Sequence, residues 1–112
     1  MIKAEIRFVG KDCKMLIIGH SGYEEAGSDI ICAAVSSMLM LTLNTVTERY
    51  GLKADILADE DTATVNARVF NVTPAAEGII KQVAREVWEI SQSYPKNVTV
   101  IADFLKGEIH NA

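Results

Sequence analysis

Ile2, Ala4, Ile6 and Phe8 alternate with Lys3, Glu5 and Arg7. That period of two predicts a strand with one buried and one wet face. Residues 9–12 read as a turn, and residues 14–19 as a second strand completing a hairpin. A glycine-rich loop covers 19–28. A long helix is predicted over 30–50, with Ser28 or Asp29 able to cap its start and Gly51 able to take the left-handed position after it. Between residues 30 and 47 this helix carries no charged side chain. Its apolar residues point all the way round, so more than one face must be covered. One small sheet covers one face, and a second copy of the chain is expected on the other. Leu43 is placed on that outward face.

Residues 54–58 and 62–70 predict a second hairpin around Asp59-Glu60-Asp61. Thr73 followed by Pro74 is a favourable helix start. The second helix runs to about residue 94. Ile79, Ile80, Val83, Ala84, Val87 and Trp88 form its apolar stripe, and Lys81, Gln82, Arg85, Glu86 and Glu89 its wet side. Pro95 ends it, and 97–103 reads as a fifth strand. The order is ββαββαβ. The fold class is α+β, a mainly antiparallel sheet with two helices on one face.

Length then limits the organisation. The chain has 112 residues, which fits a single domain over 1–112. Hydrophobic residues make up 49%, a globular composition and not a disordered one. The net charge of −4 gives no nucleic-acid footprint and suits a basic partner. The two cysteines, Cys13 and Cys32, have no CxxC spacing, so neither a disulfide framework nor a zinc site is indicated, and no cofactor is expected. The alternating start is neither a signal peptide nor a membrane span, which points to a cytoplasmic protein with no membrane partner. Asn71-Val72-Thr73 and Asn97-Val98-Thr99 match a glycosylation pattern that such a protein would not use.

The candidate chemistry lies between strand two and helix one. His20 ends an apolar strand, where a rigid scaffold can aim it. Cys32 is placed about three residues into the helix, where free N–H groups and the positive end of the dipole favour a thiolate. Those N–H groups can also stabilise an oxyanion. His20 could take the thiol proton and return it to a leaving amine. Asp29 and Ser36, at offsets of three and four from Cys32, share its helix face. Plainer readings stand beside these: a buried structural cysteine, Asp29 as a helix cap, and Ser36 bonded to its own backbone. Cys13 reads as an exposed thiol in the hairpin turn. Met15, Met38 and Met40 read as core or interface residues, although methionine also suits an apolar peptide groove. Glu24 and Glu25 either attract a basic protein or form a solvated face. His110 falls in the tail.

The residues Gly19-His20-Ser21-Gly22-Tyr23 and Gly27-Ser28-Asp29-Ile30-Ile31-Cys32-Ala33-Ala34-Val35-Ser36 go further than spacing. They strongly resemble the ribosomal-processing cysteine protease family, Prp. The strand opening, chain length and element order match as well. The resemblance implies a cytosolic bacterial cysteine endopeptidase that acts as a homodimer. It implies removal of the N-terminal extension of large-subunit ribosomal protein twenty-seven by cleavage after an aromatic residue. By position, His20 and Cys32 would form the catalytic dyad, with Asp29 and Ser36 in support. Gly19, Ser21, Gly22, Tyr23, Gly27 and Ser28 would form a mobile substrate loop. The alternative from another class is a non-catalytic, ribosome-associated dimeric binding module using the same loop.

Overall fold

The computed structural model describes residues 1–19 and 26–107, with backbone alone for 26–29. The elements are β1 (Ile2–Val9), β2 (Asp12–Ile18), α1 (Ala26–Asn44), β3 (Ala54–Asp59), β4 (Thr64–Val69), α2 (Pro74–Ser93) and β5 (Val98–Ile101). This is the expected ββαββαβ order. A π-helical turn, Thr45–Arg49, extends α1, and a 3-10 turn, Asp103–Gly107, follows β5. The strands form one sheet in the order β3-β4-β2-β1-β5. β1 and β5 run parallel, and the other neighbours antiparallel.

The period-two pattern explains the layering. Ile2, Ala4 and Ile6 of β1, Cys13, Met15 and Ile17 of β2, and Ala67 and Val69 of β4 are buried on one face. The register sets Ile6 opposite Met15 and Met15 opposite Ala67, so the apolar rows line up across strands. The other face carries Lys3, Arg7, Lys14 and Asn66, all exposed. Cys32, Val35, Leu39, Leu43 and Val46 form one buried ridge along α1 and its π-helical turn. Ala76, Ile80, Val83, Ala84 and Val87 do the same for α2, and both ridges join the sheet in one core. The Thr73 side chain caps α2 by accepting from the Ala76 N–H at 3.3 Å. Gly51 takes the left-handed conformation at φ 68°, as its place after helix one predicts.

Three expectations change. The first hairpin turn is shorter than expected: Val9 pairs with Asp12, and Gly10 takes φ 60°. Cys13 therefore lies inside β2, fully buried, and is not an exposed turn thiol. Secondly, α1 begins at Ala26 and not near residue 30. The backbone of Gly27, Ser28 and Asp29 belongs to the helix, so Asp29 is not its cap residue and Gly27 and Ser28 are not loop. Thirdly, Leu43 is fully buried, and Leu41 is the outward leucine at 67% exposure. A helix with no polar face gives no sequence signal for its rotation; the sheet sets it.

By length and composition the span Ile30–Arg49 would suffice to cross a membrane, with a mean hydropathy of 1.8. Its buried ridge against the sheet makes it the core helix of this fold. Within the protomer, measured at a dilution that leaves single chains, Leu43→Ala should cost about 2–5 kcal/mol, whereas Leu41→Ala should stay within roughly 0.5 kcal/mol. Urea unfolding of the two variants checks this assignment, and equal losses would reverse it.

Candidate active site

Cys32 is the seventh residue of α1, two turns from its start. It is therefore not in the first turn, and its N–H falls within the helical i to i−4 pattern. The free N–H groups of the helix start belong to earlier residues, so the oxyanion role assigned to them at Cys32 does not hold. Instead, Cys32 is positioned by packing. It begins the buried ridge of α1 with 8% of its surface exposed. Its Sγ lies 4.0 Å from the Asn97 carbonyl oxygen, at the entry to β5. The same carbonyl accepts from the Ile2 N–H at 2.7 Å. The thiol thus sits over the edge where β1 and β5 begin.

Beside it opens a cavity of about 400 Å³. α1 contributes Cys32, Ala33, Ser36 and Met40, which recur along one helix face. The end of β2 contributes Ile17 and Gly19. The second hairpin contributes Ala58, Asp59, Glu60, Ala63, Thr64 and Val65. The walls are mostly apolar, with two carboxylates at the rim. This size and lining suit a bulky apolar group.

At this cavity one further backbone bond extends the β2–β4 pairing that joins the two hairpins. The Gly19 N–H donates to the Ala63 carbonyl at 2.6 Å. A Cβ on Gly19 would meet that oxygen at 3.1 Å, closer than a side chain comfortably allows. Ala63 itself holds φ 51°, the left-handed region that a non-glycine residue rarely takes. Gly19 immediately precedes His20, so the last described residue before the histidine is fixed to the hairpin turn.

Of the residues named from the sequence, Gly19, Cys32 and Ser36 come together on this cavity. His20, Ser21, Gly22 and Tyr23 lie outside the described residues. So do the side chains of Gly27, Ser28 and Asp29, as well as Glu24, Glu25 and His110; the expected mobility of the loop lies there with them. The 59–65 turn carried no functional expectation. It reaches the site because β4 pairs with β2, a long-range pairing that no local pattern marks. Asn97 was missed for the same reason. Among the described residues no group of His, Cys, Asp or Glu is placed to hold a metal ion.

The two thiols differ sharply. Burial pushes the Cys13 thiol up to about 12, because its surroundings offer no compensation for a thiolate. Cys32 borders the cavity.

The family model for cysteine protease Prp matches residues 1–99. The chain belongs to that family. It is accordingly a cysteine protease, and of its two cysteines only Cys32 borders the cavity just described. Solved structures share the fold. The Prp ribosomal processing protease of Staphylococcus aureus, with a covalently linked product peptide, is 22% identical with a TM-score of 0.76, covering 91% of this chain and 99% of that one. The same protease with a substrate peptide is 20% identical with a TM-score of 0.75, again covering 91% and 99%. A Streptococcus mutans protein is 20% identical with a TM-score of 0.76, covering 91% of this chain and 93% of its own. No curated protein matches the sequence.

A disulfide-forming chromophore at neutral pH should titrate one fast thiol, lost in Cys32→Ala. Cys13 should react only in denaturant, since its thiolate fraction is negligible and its side chain enclosed. Two equally fast thiols in the folded protein would contradict this placement.

Proposed function

We propose that this protease removes the N-terminal extension of large-subunit ribosomal protein twenty-seven in the cytoplasm, cutting after an aromatic residue. The observation that carries the reading is the placement of Cys32 on a largely apolar cavity of about 400 Å³. A phenylalanine side chain fits such a space, and the cysteine lies on its wall. The Staphylococcus aureus Prp structures with substrate and product peptides support a peptide as the ligand.

In this reading His20 takes the Cys32 proton, and the thiolate attacks the scissile carbonyl. The tetrahedral intermediate collapses to a thioester as the amine leaves with the proton from His20. Water, activated by the same imidazole, then hydrolyses the thioester. Gly19, bonded to Ala63, anchors the strand end that carries His20. Asp29 and Ser36 act in support, Ser36 from the cavity wall. Gly19, Ser21, Gly22, Tyr23, Gly27 and Ser28 contact the peptide as it enters. The acidic rim formed by Asp59 and Glu60 suits a basic ribosomal protein. The mechanism calls for no cofactor, nucleic acid or membrane.

Cys32→Ala and His20→Ala should each abolish cleavage of an apolar peptide containing Phe-Phe, a loss of at least about a thousandfold, while circular dichroism stays native. Ser36→Ala should slow turnover less. Undiminished cleavage by Cys32→Ala would overturn the proposal.

The protein works, in the same proposal, as a homodimer through the outer face of the first helix. Ile30 and Leu41 stand exposed at 70% and 67%. Leu41 borders an apolar groove with Met38 of α1 and Ile79 and Val83 of α2. A two-fold contact would close such a face. Leu41→Glu should convert the dimer to monomer in sedimentation at micromolar concentration. A wild-type monomer under those conditions would contradict it.

A further inference from the structure

β3 is the outermost strand of the sheet, and its far edge pairs with no strand among the described residues. The Phe70 N–H donates to the Lys53 carbonyl at 2.9 Å, just before β3, and the β3–β4 pairing continues from there without a break. In an antiparallel pair, hydrogen-bonded positions alternate with open ones. Asp55, Leu57 and Asp59 therefore bond to β4. Ala54, Ile56 and Ala58 turn their N–H and C=O groups outward.

Sheet edges are normally guarded by lysine, proline, a bulge or a covering element. Among the described residues this one has no lysine, proline or bulge and no strand over it; its only charges are Asp55 and Asp59. It leaves Ile56 and Leu57 at 41% and 75% exposure. Its two side-chain rows also differ in what they face. Ala58 lies in one cross-strand row with Val65 and Ile17, and all three line the Cys32 cavity. The strand ends at Asp59 and Glu60, on the rim of that cavity. The open edge and the cavity are thus continuous.

We propose that the substrate peptide docks as an added strand on the outer edge of β3 and runs from there into the cavity at Cys32. The occupant is an extended peptide with apolar side chains, fixed by main-chain hydrogen bonds to Ile56 and Ala58. Every second side chain falls on the helix side, beside Ile56 and the cavity. The others fall on the open face beside Leu57. The carboxylates at the cavity end favour a cationic residue in the same peptide. This inference rests on the peptidase reading above and adds how the chain is held: main-chain bonds supply affinity, and the cavity selects one side chain.

Amide exchange by NMR on the Cys32→Ala chain, with a saturating apolar Phe-Phe peptide, tests it directly. The N–H groups of Ile56 and Ala58 should slow by at least about tenfold, the protection expected of a new hydrogen bond. Those of Asp55 and Leu57, already bonded to β4, should change little. A peptide N-methylation scan leaves the protein untouched: on the wild type, KM should rise at alternate positions with kcat nearly constant. Ile56→Pro, which removes only an outward N–H and is tolerated at an edge, should raise KM in the same way, and Ile56→Val should not. Cleavage of the peptide with no change at Ile56 and Ala58 overturns the docking mode and leaves the peptidase standing. Edge protection by a peptide that the wild type does not cleave supports the docking and removes the proposed cleavage after an aromatic residue. Protection present without peptide and lost on dilution assigns the edge to a second copy of the chain and overturns the proposal.

Discussion

The structure depends on the packing of one nearly charge-free helix against one face of a sheet. Val35, Leu39 and Leu43 of α1 are fully buried against it. Buried aliphatic side chains of this size each contribute roughly 1.5–3 kcal/mol by removal from water. That ridge fixes the rotation of α1, and with it the direction of every other side chain on the helix. Cys32 begins the ridge, so the proposed nucleophile also belongs to the core. Ala33, Ser36 and Met40 lie on the neighbouring flank and become a cavity wall by the same rotation. A nucleophile on a packed helix is held more precisely than one on a loop.

A second constraint completes the site. The order β3-β4-β2-β1-β5 inserts the second hairpin beside the first. The turn of one hairpin then touches the strand end of the other, and the Gly19–Ala63 hydrogen bond seals the contact. The cavity is the gap between that junction and α1. Its shape follows from helix rotation, strand order and one left-handed alanine, each with an identifiable cause. Cys13 shows the opposite fate for the same functional group. It lies on the buried face of β2, and burial pushes its thiol up to about 12, which disfavours the thiolate.

Much of this was legible in the residues, and the failures have clear physical reasons. Period-two alternation in β1 and the Thr73-Pro74 start of α2 are local signals, and both elements fell where they pointed. The His20–Cys32 segment was distinctive enough to indicate the family that the match over residues 1–99 establishes. The rotation of α1 was not legible, because a helix apolar on all sides presents no polar stripe to read. Leu43 was therefore placed outward, whereas the sheet buries it and leaves Leu41 outward. The helix start was misplaced because Gly27, Ser28 and Asp29 all favour turns and caps in isolation. The contributions of Asn97 and of the 59–65 turn depend on strand pairings between distant segments, which no short window contains.

The central claim is that Cys32, at the wall of an apolar cavity, is the nucleophile that a peptide presents its carbonyl to. An affinity label tests it most directly: an apolar peptide with phenylalanine chloromethyl ketone at its C-terminus, followed by mass mapping of the protein. The account predicts one adduct per chain, on Cys32, slowed by excess uncleaved peptide. It also predicts a far slower reaction when aspartate replaces the terminal phenylalanine. Labelling of Cys13 at a comparable rate, or a rate at Cys32 indifferent to that side chain, would contradict it.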